Sequence, residues 1–285
     1  MSKEILFVCT GNTCRSPMAE AIYNTISPIK ARSAGISVSH PTGAAKNACI
    51  AVEKYNASLK NHLSSQLTLE DLEEYKLIIT MTASQRDLLR SYINSEKIIT
   101  LADFAFEGED VSDPYGGSLE LYEKTAKQIY GYILKGIIKR CRCVLAQDND
   151  TLEIARMEKE YFPDNWSENS IKTQIENKRI IVLKYNGNVL GYCIFMVAAD
   201  EGEILRIATR ENMRRSGLGK KLLSYVICKL QEENCSSVFL EVRAGNSGAI
   251  ALYESLGFLE IGIRKGYYRD NGEDAKLFKL EIKER

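Results

Sequence analysis

Cys9 and Arg15 have the residue types and the spacing needed for chemistry on a phosphate group. They lie in the loop 9–16, between an apolar run at 5–8 and an amphipathic segment that begins at Met18. This order predicts a strand, a tight loop and a helix. Backbone N–H groups at the start of a helix favour a bound phosphate, and the same field favours the thiolate form of a cysteine. Because the guanidinium of Arg15 can bind two phosphate oxygens, the loop predicts an oxyanion cradle with a nucleophile at its base.

A second candidate cradle is the segment from Arg214 to Gly219, which also contains Gly217 and is followed by a helical pattern. Glycines let backbone N–H groups approach an anionic ligand closely, and the positive end of the following helix would face that ligand. A dinucleotide-binding fingerprint would need a third glycine where the sequence has Leu222. The segment therefore predicts a phosphate-binding loop of another kind.

The composition limits the class of protein. The 285 residues exceed the usual size of one domain, so we expect two domains. Lys and Arg total 38, as do Asp and Glu, which argues against a direct nucleic-acid partner or a membrane-surface partner. No apolar run reaches the ~18 residues of a membrane-spanning helix, and no leader precedes the first predicted strand. We therefore expect a cytoplasmic protein.

The cysteines and histidines argue against a metal site. The eight cysteines are scattered, mostly in apolar surroundings, and thiols stay reduced in the cytoplasm. Cys141 and Cys143 lie close in sequence but have no second cysteine or histidine cluster near them. The two histidines are His40 and His62, so we expect neither a metal bound by histidines nor a histidine-based catalytic triad.

The elements that must position the first cradle alternate along the first half of the chain. Short apolar runs typical of buried strands occur at 5–8, 77–81 and 97–101. Helical patterns follow Arg15, Thr42, Ala83 and Ser118. This alternation predicts an α/β domain with a parallel sheet. The helical pattern from Ser118 to about Lys139 should close the domain, with the boundary within a few residues of Arg142.

The second half of the chain predicts another arrangement of helices and strands. Two helical stretches precede a hairpin with the turn Asn186-Gly187, which is the strongest two-residue hairpin signal. Strands are then expected at 203–208 and 238–242, each followed by a helix. The candidate cradle at 214–219 therefore lies between a strand and a helix.

The first half resembles the low molecular weight protein tyrosine phosphatase family over residues 1–140. Besides Cys9 and Arg15, the shared features are Asn12 and Ser16-Pro17 in the loop, the Arg-Ser-Ala-Gly segment at 32–35, and Asp113-Pro114. The resemblance implies a flavodoxin-like parallel-sheet domain in which Cys9 is the nucleophile, Arg15 holds phosphate and Asp113 is the general acid. It implies phosphate binding by Thr10, Gly11, Asn12, Thr13, Cys14 and Ser16.

Thr13 bears on the choice of phosphorylated protein. Tyrosine phosphatases of this family usually have a bulkier aliphatic residue there, and threonine resembles the protein arginine phosphatases. A smaller polar side chain leaves room for a guanidinium, with which Asp113 can also pair. Tyr115 argues the other way, since arginine phosphatases tend to have phenylalanine at that position. We favour phosphoarginine over phosphotyrosine, and both stay open as candidate substrates.

Cys14 has two interpretations. It can act as a resolving thiol that pairs with Cys9 on oxidation and protects Cys9 from further oxidation. Alternatively, it is a small buried residue that packs under the loop.

The second half resembles the Gcn5-related N-acetyltransferases over residues 143–285, and within them the ribosomal-protein-alanine N-acetyltransferases. The features that carry the resemblance are the loop at 214–219, the segment 240–258, Trp166-Ser167-Glu168 and the ending at 264–275. The resemblance implies a mixed sheet and acetyl-coenzyme A as the acetyl donor.

The same resemblance implies roles for two residues in acetyl transfer. Glu241 is expected to be the general base that takes a proton from the amine, and Tyr253 is expected to protonate the departing thiolate. Binding of acetyl-coenzyme A is implied for Ile207, Ala208, Arg214, Arg215, Gly217, Leu218, Gly219, Lys220, Asn246 and Tyr253.

Together these patterns predict a bifunctional enzyme that uses acetyl-coenzyme A and no metal. Its expected partners are a phosphorylated protein and the N-terminal alanine of a ribosomal protein. Arg206, a charged residue on the strand that lines the amine cleft, is expected to alter which N-terminal residues are accepted. Two alternatives stay open: an inactive phospho-residue binding module that directs the acetyltransferase, and an acetyltransferase for small-molecule amines.

Overall fold

The computed structural model describes residues 3–282. The chain divides into two compact units, of which the first ends at Arg140 and the second begins at Cys141. Each unit contains one β-sheet. Within the described range, no helix combines the length and the apolar character needed to cross a membrane.

The first unit is built on a parallel sheet. Its strands are β1 (Lys3–Cys9), β2 (Ala31–Gly35), β3 (Tyr75–Thr80) and β4 (Ile98–Thr100). The strand order is β2-β1-β3-β4, with every neighbouring pair parallel. β1 is buried from Ile5 to Cys9, as is typical of a strand covered on both faces.

Helices cover both faces of this sheet. They are α1 (Arg15–Ile26), α2 (Lys46–Glu53), α3 (Leu69–Glu74), α4 (Ala83–Tyr92), α5 (Leu101–Ala105) and α6 (Leu119–Arg140). Leu6 of β1 packs in one cluster with Leu72 of α3 and Leu89 of α4. The next residue, Phe7, points to the opposite face, where its ring centroid lies 5.7 Å from that of Tyr23 in α1. The predicted flavodoxin-like parallel sheet is confirmed.

Three elements of the first unit were not predicted from its sequence. β2 is short and has the sequence Ala-Arg-Ser-Ala-Gly, so it carries no run of large apolar residues to mark it. α3 and α5 are single turns, and each begins with a capping box, at Thr68 and at Thr100. Their starts are therefore fixed by local hydrogen bonds rather than by an apolar periodicity.

The second unit is built on a seven-stranded mixed sheet. Its strands are β5 (Arg142–Leu145), β6 (Ile180–Tyr185), β7 (Asn188–Ala198), β8 (Glu201–Thr209), β9 (Ser237–Arg243), β10 (Leu259–Tyr268) and β11 (Glu273–Glu281). The order is β10-β11-β9-β8-β7-β6-β5, in which β8 and β9 are parallel and the other described neighbours are antiparallel. The predicted mixed sheet is confirmed.

Helices of the second unit are α7 (Thr151–Tyr161), α8 (Glu168–Glu176), α9 (Leu218–Glu232) and α10 (Ser247–Glu254), with 3₁₀ turns at Asp148–Asp150 and Glu211–Met213. Ile154 of α7 and Ile171 of α8 pack with Val182 of β6. The predicted hairpin is present, since Asn186 and Gly187 have φ of +45° and +80° between the antiparallel strands β6 and β7.

The sheet of the second unit opens between β8 and β9. These strands pair from Glu201 to Ile204 on β8 and from Ser237 to Leu240 on β9. Beyond that point β8 continues along β7 as far as Thr209, and β9 continues along β11 as far as Arg243. The two strands therefore diverge, and the gap between them forms a cleft at the centre of the sheet.

Candidate active sites

The loop 9–16 connects the end of β1 to the start of α1. Cys9 is the last residue of β1 and is 3% exposed, and its Sγ lies 3.0 Å from Ser16 Oγ. No side chain caps the start of α1, where Arg15 is the first helical residue. The first N–H groups of this helix therefore remain available to an anion.

Asn12 holds the loop in a conformation that few residues adopt. It is fully buried with φ of +51°, in the left-handed region. Its Nδ2 donates to Ser16 Oγ at 3.0 Å and to Ser33 Oγ at 2.9 Å, and its Oδ1 accepts from the N–H of Ser65 at 2.9 Å. Ser16 Oγ thus accepts from Asn12, donates to the carbonyl of Ala34 at 3.4 Å and contacts Cys9 Sγ, so Asn12 and Ser16 tie the loop to Cys9 and to β2.

Gly35, at the end of the segment 32–35, packs closely against the loop 9–16. A Cβ at Gly35 would lie 2.9 Å from the carbonyl oxygen of Thr10 and 2.6 Å from Val38, which is too close. The residues that follow Gly35 donate backbone hydrogen bonds to the carbonyls of Cys9 and Thr10. β2 therefore ends against the loop and supports it from the side.

Arg15 and Asp113 are joined by an ion pair. Arg15 Nη2 lies 2.6 Å from Asp113 Oδ2, and Arg15 is 6% exposed. Its Nη1 donates to the carbonyl of Val111 at 3.4 Å. The Asp113 side chain is half exposed, and its Oδ1 accepts from the N–H of Tyr115 at 3.2 Å. The structure therefore brings together the predicted phosphate-binding cation and the predicted general acid.

A cleft of about 440 Å³ lies over the loop. The predicted site residues that line it are Cys9, Thr10, Gly11, Thr13, Cys14, Arg15 and Asp113. Asn12 and Ser16 do not line the cleft, because they are buried beneath the loop. Its lining also includes Tyr115, which the sequence analysis considered for substrate choice, and His40, which it did not assign to the site.

Two further contacts of the loop were not predicted. Gln85 Nε2 donates to Thr10 Oγ1 at 3.1 Å, so α4 also holds the loop. Cys14 Sγ lies 3.2 Å from the hydroxyl of Tyr122, and burial, followed by this hydrogen bond, raises the pKa of Tyr122. His62 Nε2 lies 2.8 Å from the carbonyl oxygen of Asn12, so this histidine also contacts the loop.

The second cradle lies at the start of α9. Gly217 has φ of +93°, which strongly favours glycine, and no side chain caps the helix. Arg215 precedes it, also in the left-handed region with φ of +59°. The N–H of Leu218 donates weakly to Ser216 Oγ at 3.4 Å, and the start of the helix beside Arg214, Arg215 and Lys220 suits an anion.

The cleft between β8 and β9 has a volume of about 630 Å³ and meets this cradle. The predicted cofactor residues that line it are Ile207, Ala208, Arg214, Arg215, Gly217, Gly219, Lys220, Asn246 and Tyr253. Leu218 does not line it, since its side chain is 1% exposed and packs in the core. Asn246 has a second task, because its Oδ1 caps α10 by accepting from the N–H of Ala249 at 3.1 Å.

Glu241 lies on β9 just beyond its last residue paired with β8. Its Oε1 is 2.7 Å from Arg264 Nη1. A hydrogen bond with Glu241, followed by burial, raises the pKa of Tyr267. Glu241 lines both the cofactor cleft and a second cleft of about 680 Å³, which also contains Trp166 and Tyr267. It is therefore positioned between the two clefts.

Tyr253 is buried and lines the cofactor cleft. Its ring centroid lies 5.9 Å from that of Phe258 and 6.2 Å from that of Phe278. Burial raises the pKa of Tyr253, and the neighbouring Cys193 and Tyr268 raise it further. Its hydroxyl therefore keeps its proton at neutral pH.

A buried carboxylate beside the second cleft was not predicted. Glu158 of α7 is fully buried and accepts hydrogen bonds from the hydroxyl of Tyr192 at 2.6 Å and from the N–H of Trp166 at 3.0 Å. Arg206 Nε lies 3.9 Å from Glu158, and Arg206 Nη2 lies 2.6 Å from Asp164 Oδ2. Arg206 therefore connects the buried carboxylate to the wall of the amine cleft.

The first unit thus has a cleft over a loop that contains a cysteine and an arginine, and the second unit has a cleft in an opened mixed sheet. Residues 4–138 match the family model for low molecular weight phosphotyrosine protein phosphatases, and residues 150–258 match that of the acetyltransferase (GNAT) family. Within the described residues, no three His, Cys, Asp or Glu side chains cluster as metal ligands.

Named relatives match each half. A protein-arginine-phosphatase of Bacillus subtilis is 37% identical over 134 residues, which cover 44% of this chain and 89% of that protein. A low molecular weight protein-tyrosine-phosphatase of Staphylococcus aureus is also 37% identical, over 46% of this chain and 95% of that protein. A [ribosomal protein bS18]-alanine N-acetyltransferase of Escherichia coli is 41% identical over 124 residues, covering 42% of this chain and 82% of that protein.

The chain therefore belongs to the low molecular weight phosphatase family through its first half and to the GNAT acetyltransferase family through its second half. Both are families of enzymes, and membership of the second implies the use of acetyl-coenzyme A. The equal identity to an arginine phosphatase and a tyrosine phosphatase leaves the phosphorylated side chain to be argued from the loop itself.

Proposed function

We propose that the first half hydrolyses phosphorylated protein side chains by cysteine catalysis. The observation that carries this proposal is the meeting of Cys9, Arg15 and Asp113 at one cleft. Because Cys9 must remain a free thiolate, we also propose that the protein works in a reducing compartment such as the cytoplasm.

Phosphoryl transfer occurs in two steps. The Cys9 thiolate attacks phosphorus, forming an S–P bond as the bond to the leaving group breaks, and Asp113 donates a proton to the leaving atom. Arg15 and the N–H groups of the loop hold the phosphoryl oxygens. Asp113 then takes a proton from water, which attacks phosphorus, breaks the S–P bond and releases phosphate.

Phosphoarginine is the side chain that we favour. Thr13 lines the cleft, and a short polar side chain leaves space and a hydrogen-bonding hydroxyl for a guanidinium. A side-by-side assay of phosphoarginine and phosphotyrosine peptides tests this choice, with Thr13→Ile as the control. A preference for phosphoarginine that Thr13→Ile abolishes is the expected result, and an unchanged preference would remove the argument.

We propose that the second half acetylates the N-terminal alanine of a ribosomal protein. When bound, acetyl-coenzyme A supplies an acetyl group activated as a thioester. Glu241, between the two clefts, takes a proton from the amine, and the buried hydroxyl of Tyr253 holds the proton needed by the leaving sulfur. The basic cradle at Gly217 would hold the diphosphate.

The amine substrate is supported by the separate cleft beside Glu241, whose wall contains Trp166 and Tyr267 and suits a peptide. The relative from Escherichia coli is named for the alanine of a ribosomal protein. Comparing a short alanine-initiated peptide with a polyamine tests this substrate. Faster acetylation of the polyamine would overturn the proposal.

A further inference from the structure

Glu203 is a carboxylate without a partner in the amine cleft. It lies on β8, opposite Phe239 of β9 in the parallel pairing. Because Phe239 and Glu241 point to the same face of β9, Glu203 and Glu241 lie on one face of the sheet. Both line the 680 Å³ cleft. Within residues 3–282, the partly buried Glu203 side chain has neither an ion pair nor a hydrogen bond.

The negative charge of Glu241, by contrast, is compensated by neighbouring groups. Arg264 Nη1 lies 2.7 Å from its Oε1, and Tyr267 also hydrogen-bonds to it. Burial raises the pKa of Glu203, the charge of Glu241 raises it further, and Arg264 lowers it by less. Arg264 thus pairs with Glu241 and not with Glu203, so this part of the cleft favours a further cation.

We propose that Glu203 binds the ammonium form of the amine substrate beside Glu241. This inference rests on the proposed acetyl transfer to a protein N-terminus. An N-terminal amine is mostly protonated below its ordinary pKa of about 7.7–8.0, so it reaches the cleft as a cation with three N–H donors. Those donors can bind both carboxylates at once. Glu203 then positions the ammonium group next to Glu241, the proposed base.

Steady-state kinetics of the full chain with an alanine-initiated peptide test this assignment. At pH 6.5, Glu203→Gln should raise the KM for the peptide about tenfold, because a charge-assisted hydrogen bond is lost. The kcat and the KM for acetyl-coenzyme A should stay within about twofold. Glu203→Asp keeps the charge and should recover most of the affinity. Glu203→Thr is measured in parallel, so that the result does not depend on one neutral variant folding.

The matched control is Glu201→Gln, which removes the same charge from an exposed position on the same strand. It should leave the KM for the peptide within about twofold. A second measurement repeats the series at pH 9.5, where the amine is largely neutral. At pH 9.5 the KM of Glu203→Gln for the peptide should approach that of the wild type. A purely structural role of Glu203 would not produce this dependence on pH.

The outcomes distinguish this inference from the proposed function. If the wild-type chain does not acetylate the peptide, the proposed acetyl transfer is wrong. If it does, the inference is overturned by an unchanged KM in Glu203→Gln, by an equal increase in Glu201→Gln, or by an increase that persists at pH 9.5.

Discussion

Arg15 Nη2 lies 2.6 Å from Asp113 Oδ2, so the residue proposed to hold phosphate and the residue proposed to protonate the leaving group form one ion pair. The Asp113 side chain is half exposed, whereas Arg15 is buried, so water reaches the ion pair from the Asp113 side. A phosphate that binds Arg15 can therefore replace Asp113 as its partner and leave the carboxyl free to face the leaving group. We therefore expect phosphate binding at Arg15 to free the Asp113 carboxyl.

Asp113→Asn tests the general acid. The variant should hydrolyse a phosphopeptide about 100-fold more slowly, because an amide cannot donate the required proton. The rate of hydrolysis of an activated aryl phosphate, whose leaving group needs no proton, should fall much less in this variant. Glu109→Gln, which removes an exposed acid from the same loop region, serves as the control in the same kcat measurements. Equal losses on both substrates in Asp113→Asn would contradict the role of general acid.

Asn12→Ala tests the support beneath the loop. It removes the side chain that donates to Ser16 and Ser33 and accepts from Ser65, and it should destabilise the first unit by about 2–4 kcal/mol. Asn56→Ala is the matched control, since Asn56 is exposed and also has a positive φ, of +54°. The stability of both variants is measured by urea unfolding, with phosphatase activity as the signal. Similar losses in the two variants would attribute the effect to backbone strain alone.

Gly217→Ala tests the coenzyme A cradle. A Cβ at Gly217 meets no neighbouring atom, so the change acts through φ of +93°, which costs about 1–2 kcal/mol for alanine. Relaxation of the turn should shift the N–H groups at the start of α9 and raise the KM for acetyl-coenzyme A several-fold. Gly262→Ala, at an open position without a positive φ, should leave that KM unchanged. An unchanged KM in Gly217→Ala would argue against the cradle.

Arg206 and Glu158 are predicted to be energetically coupled. Arg206 Nε lies 3.9 Å from the fully buried carboxylate of Glu158. Arg206→Leu removes this cation and should destabilise the second unit by about 1–3 kcal/mol. Glu158→Gln in the same background should recover part of that loss. Unfolding midpoints of the two single variants and the double variant give the coupling free energy. Strictly additive effects would show that the pair does not interact.

Features made by neighbouring residues could be predicted from the sequence, whereas contacts between distant positions could not. The loop 9–16 could be predicted because a strand, a glycine-containing turn and a helix follow one another directly. The contact of Arg15 with Asp113 spans 98 positions and was implied by family resemblance rather than by spacing. The proximity of Glu203 to Glu241 depends on the parallel pairing of β8 and β9, which no local pattern encodes. The side chain of Leu218 faces the core, so a contact of this motif position with the cofactor would be made by its backbone, which the sequence pattern does not specify.

The central claim is that the two halves carry separate active sites, and assaying both reactions in Cys9→Ser and Glu241→Gln tests it most directly. Cys9→Ser should abolish phosphatase activity and leave acetyl transfer at the wild-type rate, whereas Glu241→Gln should reduce acetyl transfer about 100-fold and leave phosphatase activity intact. Loss of both reactions in either variant would contradict the account.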